Sequence, residues 1–83
     1  MQDYFEEGEY IIREGQVGDT FYIIADGSVS ITQKLVGQDE PQHIRNLSKG
    51  SFFGEKALLT EDRRTASAMA LGPGVELLTL NRE

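Results

Sequence analysis

Apolar positions along this chain fall in short bursts separated by glycines, not at helical spacing. Val29 and Ile31 alternate with Ser28, Ser30 and Thr32, the period-two pattern of a strand with one buried face. Val29 and Ile31 are therefore expected to point inward and the three hydroxyl residues outward. Residues 20–25 form an almost unbroken apolar run of a length that suits a strand buried on both faces. Between these two segments, Asp26-Gly27 predicts a hairpin through a type I′ turn, which needs positive φ at both central positions. Tyr10-Ile11-Ile12 and residues 42–47, 65–70 and 75–80 read as further strands. Residues 34–41 read as a polar loop, with turns at Ser48-Lys49-Gly50 and Gly72-Pro73-Gly74. Only Glu55-Lys56-Ala57-Leu58-Leu59 favours helix, and for no more than about two turns. The pattern predicts an all-β sandwich or barrel.

Composition narrows the function more than the fold. Eighty-three residues allow a single domain over 1–83, and one that buries only ~60% of its unfolded surface. Fourteen acidic against eight basic side chains give a net charge of −6, which argues against nucleic acid as a partner. The absence of cysteine excludes disulfides and thiolate zinc sites. The single histidine, His43, leaves no His cluster for a metal and makes a His-based catalytic triad improbable. With no apolar run near 18 residues and no signal peptide at the start, membrane insertion is not expected, and a cytoplasmic setting is. Both ends read as cut: a strand starts almost directly after Met1 and another runs to Asn81-Arg82-Glu83. Whatever covers the open edges and apolar rim is expected to lie outside these residues.

Residues 51–66 depart most from strand-and-turn composition. Two aromatics, Phe52 and Phe53, precede Gly54, and the short helical segment follows. Helix-start amides lack intrahelical partners and attract anions, and Gly54 permits close approach to the backbone. Ten residues on, Arg64 carries a planar fork able to grip two phosphate oxygens. Glu55 is the misfit, because a carboxylate beside a phosphate is repelled unless it accepts from a neutral hydroxyl such as a ribose 2′-OH. Read without a ligand, Glu55 is equally a residue favoured by the helix dipole, and residues 61–64 a solvated charge run.

The run Phe53-Gly54-Glu55-Lys56-Ala57-Leu58, followed by Arg64-Thr65-Ala66, resembles the phosphate-binding cassette of cyclic nucleotide-binding domains. Upstream, residues 8–15 and 18–24 resemble that family's early strands, and Asp26-Gly27-Ser28-Val29 its central hairpin. Within the family the likeness is to the second site of cGMP-dependent protein kinases. The resemblance implies a jelly-roll-like β-roll of about eight short antiparallel strands with one short helix in the cassette, its flanking helices missing here. It implies that Arg64 pairs with the cyclic phosphate and Glu55 with the ribose 2′-OH. Backbone amides around Gly54, Ala57 and Leu58 would hold phosphate oxygens, with Lys56 and Ala66 in the same cassette. Thr65 would reach the guanine amino group, Arg45 the guanine edge, and Ile44 would pack on the base. An arginine donating to guanine O6 and N7 makes a pairing that adenine cannot reproduce.

The implied function is regulatory and not enzymatic: a cGMP sensor acting on a kinase catalytic domain of the same polypeptide, with no cofactor beyond its ligand. Three other readings compete: a cAMP receptor of the same fold, a scaffold that binds no nucleotide, and a cupin-like metal enzyme. Intact Glu55 and Arg64 weigh against the scaffold, and the lone histidine against the metal enzyme.

Overall fold

The computed structural model describes residues 2–18, 20–54 and 63–81. The described residues form eight strands: β1 (Gln2–Glu6), β2 (Tyr10–Ile12), β3 (Thr20–Asp26), β4 (Ser28–Gln33), β5 (Gln42–Ser48), β6 (Phe52–Phe53), β7 (Ser67–Ala70) and β8 (Gly74–Asn81). They form two four-stranded sheets in the orders β1-β8-β3-β6 and β2-β7-β4-β5, with every pair antiparallel. This order is that of a jelly roll. The expected helix at residues 55–59 lies outside the described residues. Among those residues, no helix is long and apolar enough to cross a membrane.

The core lies between the two sheets. Ile24, Phe53, Val75 and Leu77 come from the first sheet; Val29, Ile31, Ala68 and Ala70 come from the second. Val29 and Ile31 point inward as their alternation predicts. Ser30, on the other face of β4, is also covered, at 7% exposure. It stands between its register partners Asn46 and Met69 in the middle of the sheet, where a small side chain is overshadowed by its neighbours.

Two expectations about β3 are corrected. Strands β3 and β4 do not form a hairpin, because they belong to different sheets and pair with different partners. Among the described residues none but glycine has positive φ, so Asp26 cannot take the first central position of a type I′ turn; of the pair only Gly27 has positive φ, at 96°. The register of β3 on β8 slips between Ile24 and Asp26, a bulge that bends the strand out of its sheet. Gly27 then passes so close to β8 that a Cβ there would meet Gly74 O at 2.5 Å and Val75 Cα at 3.0 Å. The Asp-Gly pair is thus a corner between sheets.

Nor is β3 buried on both faces. Ile24 is buried, but Ile23 is 36% exposed, beside its register partners Leu78 and Phe52. Phe21 pairs with Leu80 in register and its ring lies 5.6 Å from that of Phe52. Phe52 at 51% and Leu80 at 57% exposure complete an apolar outer face. The two aromatics of β6 therefore divide: Phe53 stacks on Tyr22 at 5.1 Å inside, while Phe52 faces out.

Candidate functional site

Arg64 enters the site from a short ladder that fixes its backbone. Val17 bridges Arg63, the Gly15 amide donates to Arg64 O at 2.8 Å, and the Arg64 amide donates to Gln16 O at 2.7 Å. The two neighbouring arginines then part. Arg63 is exposed and its Nη1 donates to Gly15 O at 2.7 Å. Arg64 turns inward and is half-buried. Its Nη2 donates to Thr20 O at 2.9 Å, and its Nη1 makes a longer contact of 3.5 Å with Gly54 O. A solvated charge run does not account for that geometry, because one of the two guanidiniums is drawn into the protein and aimed.

Gly54 and Arg64 are thus brought together as expected. Gly54 has φ 79°, a conformation that disfavours any side chain. It directly follows β6, whose pairing with β3 sets the Thr20 and Gly54 carbonyls where one guanidinium reaches both. A guanidinium has five N–H donors in a rigid fork. Two of them meet these carbonyls, which fixes the plane of the group and leaves the rest of the fork to an anion.

Ile44 and Arg45 lie in β5, and Thr65 and Ala66 just before β7, the two strands that flank β4 in the second sheet. Ile31 pairs with Arg45 and Thr32 with His43, so Ile44 is an extra residue in β5 and forms a bulge. A bulge interrupts the alternation and re-aims side chains. Here it falls on the two residues named for the base. Across β4, Ile31 pairs with Ala68 and Thr32 with Ser67, so Arg45 is level with Ala68, and Ala66 and Thr65 lie two and three residues before that level. With one strand between them, β5 and β7 are separated by about 10 Å. Arg45, Ile44 and Thr65 are exposed. Ala66 instead packs against the core cluster, which makes it a packing residue in this structure. His43 is exposed on β5, and its Nε2 lies 2.8 Å from Asn46 Oδ1.

Glu55, Lys56, Ala57 and Leu58 lie outside the described residues. Sequence reasoning missed Thr20, which contributes its backbone carbonyl and not its side chain. A main-chain acceptor leaves no mark on residue type. Among the described residues, no group of three or more His, Cys, Asp or Glu side chains could hold a metal ion.

Residues 2–83 match the profile of the family described as cyclic nucleotide-binding domain. The chain is 55% identical over 82 residues to the cGMP-dependent protein kinase egl-4 of Caenorhabditis elegans, a match spanning 99% of this chain and 10% of the relative. It is 48% identical over 81 residues to cGMP-dependent protein kinase 2 of Homo sapiens, spanning 98% of this chain and 11% of that protein. The chain thus spans about a tenth of the length of these relatives. Among solved structures, Thermus thermophilus catabolite activator protein superposes with a TM-score of 0.90 at 33% identity, covering 99% of this chain and 38% of that one. The regulatory domain of Toxoplasma gondii PKA, solved with cAMP, gives a TM-score of 0.90 at 33% identity, covering 98% and 31%.

Proposed function

The chain belongs to the cyclic nucleotide-binding domain family, and on that premise we propose that it binds cGMP in preference to cAMP. The half-buried Arg64 guanidinium, oriented by the Thr20 and Gly54 carbonyls, is the observation that carries the cyclic nucleotide-binding part of this reading. It grips two oxygens of the cyclic phosphate in a charge-assisted, bidentate contact. Glu55 accepts from the ribose 2′-OH, and the amides of Gly54, Ala57 and Leu58 hold phosphate oxygens; Lys56 belongs to the same cassette.

Selectivity comes from the base. Arg45 donates to guanine O6 and N7 while Thr65 reaches the guanine amino group, and Ile44 packs on the ring. The bulge at Ile44, which re-aims Ile44 and Arg45, supports this division of labour. Adenine keeps the N7 acceptor but offers a donor where guanine offers O6, so Arg45 would lose one of its two acceptors and face an N–H there. The same fold in Toxoplasma gondii PKA was solved with cAMP, which makes cAMP the ligand to test against.

The module acts as the sensor of a cGMP-dependent serine/threonine kinase in the cytoplasm, its partner being the catalytic domain of the same polypeptide. The relatives named above support that assignment. Binding shifts the contacts with that domain only by the difference in ligand affinity between two states. Paired calorimetric titrations with cGMP and cAMP test the reading. Tighter binding of cGMP is expected; equal or reversed affinities would overturn the selectivity.

A further inference from the structure

Gly18 has no conformational need to be glycine. Its φ lies outside the positive range, unlike that of Gly15, Gly27 or Gly54. What a side chain there would meet is Arg64 itself. The three atoms nearest to a Cβ built on Gly18 are Arg64 Nη2 at 2.6 Å, Nε at 2.8 Å and Cζ at 3.0 Å. A Cβ on Gly54 would stand 2.9 Å from the remaining nitrogen, Arg64 Nη1. The guanidinium therefore lies against two bare glycine backbones, with the Thr20 and Gly54 carbonyls accepting from its nitrogens.

We infer that Gly18 and Gly54 are the walls of a slot that sets the plane of the Arg64 guanidinium, and that Gly18 is a positioning residue for the anion. The inference rests on the proposed pairing of Arg64 with the cyclic phosphate. Both nitrogens that approach Gly18 closely, Nη2 and Nε, are donors of one edge of the fork. A methyl group at position 18 fills the space that edge occupies. The obstacle is the far end of a flexible side chain and not main chain, so the guanidinium yields while the fold stays as it is. The displaced fork loses its bond to Thr20 O, and with it the fixed plane that a two-oxygen grip requires.

Alanine at a position with ordinary φ also reduces the freedom of the unfolded chain, so Gly18→Ala raises or preserves thermal stability. A glycine retained for folding would behave in the opposite way. The test compares wild type, Gly18→Ala, Gly18→Ser and Arg64→Ala in this chain. Melting temperature is measured for each, together with calorimetric affinity for cGMP and for guanosine, which has the base and sugar but no phosphate. The expected result for Gly18→Ala and Gly18→Ser is a melting temperature at or above wild type, a tenfold or greater loss of cGMP affinity, and unchanged guanosine affinity. Wild-type cGMP affinity in both Gly18 variants, with Arg64→Ala weakened, would overturn the slot and leave the phosphate pairing standing. Joint loss of melting temperature and guanosine affinity would make Gly18 a structural glycine and overturn the inference. Wild-type cGMP affinity in Arg64→Ala would overturn the phosphate pairing and the slot with it.

Discussion

Arg64 Nη2 donates to Thr20 O at 2.9 Å across 44 positions of sequence, joining the strand that leads out of the cassette to the first residue of β3. The bond ties a functional side chain to a rigid element of the first sheet, while the Arg64 backbone is held by Gly15 and Gln16. Arg64 is thus oriented before any ligand arrives, which lowers the ordering cost of binding.

That geometry demands a fork and not merely a positive charge. Arg64→Lys keeps the charge but replaces two parallel donors by a point ammonium. Loss of one charge-assisted bond of about 1.5–3 kcal/mol corresponds to roughly 10- to 150-fold weaker cGMP binding. Calorimetric titration at fixed salt checks this, with circular dichroism expected to be unchanged.

Thr65 is exposed, two residues before β7 and next to the half-buried Arg64. Thr65→Ala removes one neutral hydroxyl contact, and a loss of about 0.5–1.5 kcal/mol is expected for cGMP alone. Affinity for cAMP should stay within error of wild type. Equal weakening of both ligands would remove Thr65 from base selection.

Gly27 is the corner on which the two sheets turn. Gly27→Ala imposes a side chain at φ 96° and drives its Cβ to 2.5 Å from Gly74 O, a main-chain atom that cannot swing aside. Strain of this kind costs about 1–3 kcal/mol, and the clash adds to it. Urea unfolding should show a lower midpoint, the opposite sign to that expected for Gly18→Ala.

The outer face of the first sheet, with Phe52 and Leu80 exposed, invites self-association. Phe52→Thr with Leu80→Thr should lower light scattering at high concentration and change folding stability by less than about 1 kcal/mol. Leu77→Ala, one register step away but fully buried, should cost about 2–5 kcal/mol. Comparable losses from both changes would mean that the outer face is covered in solution.

The alternation around Val29 and Ile31 was legible in the sequence because β4 has one face on the core and polar residues on the other. The apolar run of β3 was misleading, since a strand covered on two faces and a strand with a bare apolar face have the same composition. Phe21 and Ile23 look buried in sequence and are not. Asp26-Gly27 carries the same signature whether the chain folds back or turns a corner. The choice is made by the bulge at residues 24–26 and by pairing with β8, some fifty positions later. For the site, Gly54 and Arg64 were legible through glycine freedom and guanidinium chemistry. The Thr20 carbonyl and the Ile44 bulge were not, because main-chain acceptors and register slips depend on which strands meet.

Arginine-selective ¹⁵N NMR during a cGMP titration tests the central claim most directly, with Arg64→Lys supplying the assignment. The Arg64 guanidinium resonances should shift in proportion to saturation and become protected from solvent exchange, while those of Arg63 stay in place. Arg64 resonances unmoved at saturating cGMP would contradict the phosphate pairing on which the account is built.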